Sequence, residues 1–213
     1  MERIRAHPSA AKATNGGPPV PSFYPPREDT FLLVPFARVP AGSTLLEIGS
    51  GSGLLALEAA RSGARVVATD LNPWALRHLR GRARAEGLPI ATVRTDLAAG
   101  LGRFDRILAN PPYLPTEPGA RDPDRWHNLA LDGGPDGLEV TRRIVATLPE
   151  HLASGASAFV VFSTLQEAHA LEEVRRAWTE TRGAIEVVAG RALQGERLEV
   201  WRFSLRAGSP GES

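Results

Sequence analysis

Between residues 44 and 179, apolar runs of strand length alternate with segments of helical character, and two further strand-like runs then follow each other directly. The strand-like runs are TLLEI (44–48), RVVATD (65–70), IATVRT (90–95), FDRILA (104–109), ASAFVVFS (156–163), AIEVVAG (184–190) and RLEVWRFSL (197–205). Helical segments are expected at 28–37, broken at Pro35, at 52–61, at 72–87, from Asp136 to about 148, and at 165–179. Asn72 followed by Pro73 reads as an N-cap and a first helical position. Asp136 with Glu139 three residues on reads as a capping box. Such an alternation demands an open, mostly parallel sheet covered by helices on both faces. The last two runs depart from it and read as an antiparallel pair, where a dinucleotide-binding fold would close with another parallel unit.

The 213 residues suffice for one domain with a sizeable core, expected over 23–206. Residues 1–22 are rich in Pro, Gly, Ala and Ser and read as a mobile tail, as do 207–213. The chain has no cysteine, which excludes disulfides, thiol chemistry and cysteine-ligated zinc. Its five scattered histidines suggest no metal site. A net charge of +1 gives no global attraction to nucleic acid. Arg77, Arg80, Arg82 and Arg84 crowd one segment, read as a solvated helix face or a phosphate-facing patch. No apolar stretch approaches the roughly 20 residues of a membrane span, and no apolar leader opens the chain, so a cytoplasmic protein is expected.

Seven strands with a reversed last pair resemble the Rossmann-like α/β fold of class I methyltransferases, which bind S-adenosyl-L-methionine (SAM). Glu47-Ile48-Gly49-Ser50-Gly51-Ser52-Gly53 follows the first strand and opens a helix, where glycines let the backbone turn sharply and approach a ligand. Asp70 ends the second strand, with Leu71 beside it, and its carboxylate can accept two hydrogen bonds from a ribose diol. Asp96, before Leu97, ends the third strand and can accept from an adenine amino group. These features alone do not separate NAD from SAM, although E-x-G-x-G-x-G favours SAM.

The fourth strand runs into Asn110-Pro111-Pro112-Tyr113. In an open α/β sheet, ligands bind off the carboxyl ends of the strands, so the Asn110 amide should face the cofactor. A residue before proline is held extended, and two prolines with φ near −65° make the corner rigid. Neither proline has an N–H, so the corner offers acceptors: the Asn110 side-chain oxygen and the Pro111 carbonyl. Two converging acceptors suit a planar NH2 group, which has two donors. Such a nitrogen is a poor nucleophile, and gripping both hydrogens orients it, while the Tyr113 ring lies on the planar group. Catalysis is then mainly positioning. The connection 111–135 is long enough to shape a substrate mouth, with Trp126 as a substrate contact or a packed anchor and His127 as a weaker candidate base.

At this point the chain resembles the glutamine-amide methyltransferases of peptide-chain release factors, over about residues 23–205. YPPREDTFLL (24–33), EIGSGSG (47–53), TDLNP (69–73), NPPY (110–113) and RALQGERLEVWRF (191–203) carry the resemblance to the short, single-domain branch. LALDGGPDGLEV (129–140) is similar to a segment of the longer bacterial branch. The resemblance implies cofactor contacts at Thr30, Glu47, Gly49, Ser50, Gly51, Gly53, Asp70, Leu71, Asp96, Leu97 and Asn110. It implies a substrate grip at Asn110, Pro111, Pro112 and Tyr113. The implied target is the Gln of the Gly-Gly-Gln loop of a release factor, and the short branch relies on a small zinc-binding partner protein. Methylation of the exocyclic amine of adenine in DNA or RNA uses the same corner chemistry and stays open, as do small-molecule amines and a non-catalytic subunit role.

Overall fold

A computed structural model describes residues 23–117, 119 and 124–206, so the two expected tails lie outside the described residues. The elements in chain order are α1 (Glu28–Ala37), β1 (Thr44–Ile48), α2 (Leu54–Arg61), β2 (Arg65–Thr69), α3 (Pro73–Ala85), β3 (Ile90–Val93), β4 (Phe104–Ala109), α4 (Arg125–Leu131), α5 (Glu139–His151), β5 (Leu152–Ser163), α6 (Ala168–Thr181), β6 (Gly183–Leu193) and β7 (Glu196–Leu205). The seven strands form one sheet in the order β3-β2-β1-β4-β5-β7-β6. The first five are parallel, and β7 runs antiparallel between β5 and β6. The switch in strand order lies between β1 and β4, and this sets the site at their carboxyl ends.

Alternating strand residues feed two cores. On one face Leu46, Ile107, Ala158, Val160, Phe162 and Phe203 pack with Ile144, Leu148 and Trp178 of the helices. On the other, Leu45, Val66, Leu108, Phe159 and Val200 pack with Leu33, Leu55 and Leu79. Both faces being covered explains why the strands read as nearly continuous apolar runs.

Four local expectations need correction. Pro35 does not break α1, which continues to Ala37. Pro35 is exposed in the last turn while Leu33 and Ala37 are fully buried, so packing on one side outweighs one missing hydrogen bond on the other. Asp136 is no capping box. The helix starts at Glu139 with Leu138 as N-cap, because Gly137 turns the chain at φ 76. The Asp136 carboxylate instead accepts from the Leu138 N–H at 2.9 Å and pairs with Arg142 at 2.6 Å. The connection 111–135 contains α4, a seven-residue helix capped by Asp124 with no fully buried residue and too short for a sustained helical period. Finally, β5 begins at Leu152, before an irregularity that shifts its register on β4 between Phe104 and Arg106. Among the described residues no helix is long and apolar enough to cross a membrane. Nor do three His, Asp or Glu side chains gather there as a metal site.

Candidate active site

The turn after β1 uses its glycines differently. Gly49 has φ 71 with nothing within 4 Å of a Cβ position, so it leaves space at the mouth. Gly51 (φ 48) passes under the Tyr24 carbonyl, 3.6 Å from its own Cβ position. A Cβ on Gly53 would meet Leu79 at 2.5 Å, so this glycine serves the packing of α2 on α3. The Gly51 N–H donates to Asp70 Oδ2 at 2.9 Å and the Asn72 N–H to Oδ1 at 2.8 Å. Each Asp70 oxygen keeps a further lone pair, as a diol requires. Burial raises the Asp70 pKa, against the pull of the N–H groups of Asn72, Gly51 and Leu71. The Ser50 hydroxyl is buried without a partner. Leu97 holds φ 51, a left-handed backbone rare outside glycine and a mark of functional turns.

Glu47 is buried, and its Oε2 accepts the Ala56 N–H in the first turn of α2 at 2.9 Å. Burial pushes its pKa up from 4.5 to about 8; the Ala56 N–H opposes the rise and the Asp70 charge adds to it. The folded protein therefore keeps a proton that the unfolded chain has released, and stability falls as pH rises from about 4.5 toward about 8. Glu47→Gln keeps an oxygen for Ala56 and cannot ionise. It is expected to match the wild type near about pH 5 and to exceed it by on the order of 3 kcal/mol at about pH 9. Urea denaturation across pH checks this, and parallel profiles for the two proteins would refute it.

Asn110 follows β4, with Pro111 buried behind it. Its Nδ2 donates to Thr30 Oγ1 at 3.3 Å, while its Oδ1 is buried with no partner. An unpaired buried acceptor costs stability, which makes this oxygen a candidate binding atom. Tyr113 donates its hydroxyl to Asp29 Oδ2 at 3.2 Å, and Tyr24 donates to the same oxygen at 2.9 Å. Burial first, then the Asp29 charge, raises both phenol pKa values, so both stay protonated donors. A wall stands behind Tyr113. Leu114 N–H donates to Leu131, Gly133 N–H to the Leu114 carbonyl, and Thr116 N–H to Gly134. Gln166 ties this wall to the sheet, donating to the Gly137 carbonyl at 2.8 Å and accepting the Ser163 N–H at 2.9 Å.

A family model described as methyltransferase small domain matches residues 28–129. A candidate protein N5-glutamine methyltransferase of Methanocaldococcus jannaschii is 37% identical over 147 residues, 68% of this chain and 74% of that protein. The chain belongs to the protein N5-glutamine methyltransferase family. The release factor glutamine methyltransferase of Deinococcus radiodurans is 45% identical over 53% of this chain, which spans 43% of that longer relative. The Mtq2–Trm112 complex of E. cuniculi, which methylates the eRF1 translation termination factor, is a structural relative. Its TM-score is 0.65 at 26% identity, covering 84% of this chain and 96% of the matched one. The Thermus thermophilus rRNA methyltransferase RsmC, solved with SAM and guanosine, shares the fold at TM-score 0.61 and 23% identity, over 86% of this chain and 44% of its own. The protein is thus a SAM-dependent methyltransferase of class I fold. The open glycine turn, the free Ser50 hydroxyl and the doubly oriented Asp70 fit that cofactor.

The structure brings Thr30, Asn110 and Tyr113 into one hydrogen-bonded group around Asp29, joins the glycine turn to Asp70, and ties Glu47 to the Ala56 N–H of α2. Leu71 is exposed next to Asp70, its carbonyl accepting from Arg94. Asp96 is exposed, and its Oδ2 pairs with Arg143 at 2.5 Å. Trp126 is half-buried under the Arg125 guanidinium at 4.3 Å, and His127 is exposed. Of the arginine cluster, Arg77 covers Trp74, Arg80 bonds Thr92 and Arg82 pairs with Glu86. Three members of the site escaped the sequence reading: Asp29, Tyr24 and Gln166. A signal existed for Tyr24, since the chain has two tyrosines and each stands beside a site segment.

Proposed function

We propose that this chain methylates the side-chain amide nitrogen of a protein glutamine, the Gln of the Gly-Gly-Gln loop of a peptide-chain release factor. The observation that carries the reading is the Asn110 Oδ1, buried, unpaired and fixed on a proline corner. SAM supplies an electrophilic methyl on a sulfonium. Asp70 would hold its ribose, Asp96 would offer its other oxygen to the adenine, and the turn of Gly49, Ser50 and Gly51 would receive its methionine portion. Asn110 Oδ1 and the Pro111 carbonyl would accept the two hydrogens of the incoming NH2, aiming the nitrogen and favouring its change toward tetrahedral geometry. The Tyr113 ring and Pro112 would bracket the flat amide. No general base is needed before transfer, because the nitrogen becomes acidic only once methylated. Glutamine substrates are supported by the names of the relatives, and a small Trm112-like activator by the E. cuniculi complex.

Labelled methyl transfer from SAM tests this. Purified release factor, its variant with the loop Gln replaced by Ala, and DNA and RNA are compared, each with and without a Trm112-type protein. Label on the release factor alone, lost in the Ala variant, is expected. Label on nucleic acid and none on release factor would replace the substrate with an adenine amine.

A further inference from the structure

Asn110 can serve as an acceptor only if its amide faces the right way, and a buried carboxylate decides that. A threonine hydroxyl has one hydrogen and two lone pairs. That of Thr30 donates to Asp29 Oδ1 at 3.2 Å and accepts from Asn110 Nδ2 at 3.3 Å and from the Arg27 N–H at 3.5 Å. All three capacities are in use. Asp29 is 2% exposed and is surrounded by donors. Its Oδ1 also takes the Thr30 N–H at 2.6 Å, and its Oδ2 takes both phenols. A carboxylate only accepts, so the Thr30 hydrogen is drawn toward Asp29 and away from Asn110. The amide must then present Nδ2 to Thr30, which leaves Oδ1 on its far side, buried and unpaired.

We infer that Asp29 is a positioning residue: through Thr30 it fixes which end of the Asn110 amide meets the substrate, and through its other oxygen it anchors the Tyr113 ring. The inference rests on the amide-methylation reading above. The opposite orientation would set the Asn110 NH2 against the NH2 of the acceptor, donor against donor. Tyr24 contributes a second phenol to the same oxygen, which ties the segment before α1 to the corner after β4.

Removing either link frees the amide. In Asp29→Ala the Thr30 hydrogen can turn toward Asn110 Oδ1 and stabilise the flipped form. In Thr30→Val, Nδ2 loses its acceptor. Each variant is expected to lower kcat by at least about tenfold, and in Asp29→Ala the SAM affinity by calorimetry should stay within about threefold. The double variant should be little worse than either single one, because both act on one orientation. Thr30→Ser, which restores the hydroxyl, should recover most of the turnover lost in Thr30→Val. A second readout needs no methyl acceptor: the side-chain amide signal of Asn110 in 1H–15N NMR, assigned by its loss in Asn110→Asp. One sharp pair is expected in the wild type, and a shifted or broadened pair in Asp29→Ala and Thr30→Val. Wild-type turnover or an unchanged amide signal in a folded Thr30→Val protein would overturn the inference. A wild type that methylates no glutamine would fail the functional reading instead, leaving the amide signal to decide the orientation.

Discussion

Asn110→Ala is expected to cut turnover at least about 100-fold while leaving SAM affinity within about tenfold. The size follows from what is removed. One preorganised polar partner in a dry site is worth about 100- to 1000-fold in rate, close to 3–4 kcal/mol of barrier. Asn110 Oδ1 is already buried and unpaired in the protein, so the cost of desolvating it is met in folding and not at the moment of reaction. Cofactor affinity should be spared because Asp70 and the glycine turn are held by their own backbone bonds, independent of Asn110. Stability should change little or rise, since alanine removes an unsatisfied acceptor along with the Thr30 bond. Single-turnover kinetics with a glutamine acceptor and calorimetry with SAM separate the two quantities. Full turnover in this variant would remove the proposed grip altogether.

Much of this arrangement is legible in the chain, and what is not has physical reasons. Strands β1, β2 and β4 read clearly because both their faces are buried, and the reversed end of the sheet follows from two strand-like runs with no helix between them. The corner at Asn110 reads clearly because proline restricts the backbone whatever surrounds it. By contrast, α4 has only seven residues and buries none of them fully, and β5 starts in Leu-Ala-Ser-Gly, a composition that looks like a turn. Asp29 is hidden for another reason. An acid in the first turn of a helix has a sufficient local explanation, the N-terminal dipole, so nothing in EDTFLL announces a buried hub. Its partners Tyr24 and Tyr113 lie 5 and 84 residues away, and only the fold brings the latter to it. Gln166 is a lone amide in a loop whose two bonds are both made to backbone groups of distant or turned segments, a role no spacing can disclose.

The wall behind Tyr113 carries the second large effect, at Gly137. This residue has φ 76, and a Cβ there would collide with the Tyr113 carbonyl oxygen and lie 3.2 Å from Gln166 Cγ. The first neighbour is backbone and cannot swing aside as a side-chain tip would, so Gly137→Ala must move the chain at 113–114 or displace the loop itself. The left-handed backbone costs about 1–2 kcal/mol for a residue with a Cβ, and the overpacking about 1–3 more. Gly137→Ala is therefore expected to lose about 2–5 kcal/mol in urea denaturation. Because the displaced atom belongs to Tyr113, turnover of the folded fraction should fall by at least about tenfold as well, in keeping with the sensitivity of such reactions to misplacement near 1 Å. Gly155 separates strain from misplacement. It too has a positive φ, 71, but nothing lies within 4 Å of its Cβ position, and it sits near the start of β5, away from the carboxyl ends of the strands. Gly155→Ala should lose only about 1–2 kcal/mol and keep its turnover. Equal turnover in the two variants would mean that the Tyr113 carbonyl can yield without moving the ring, and that the loop from Leu131 to Gly137 supports the fold and not the grip on the substrate.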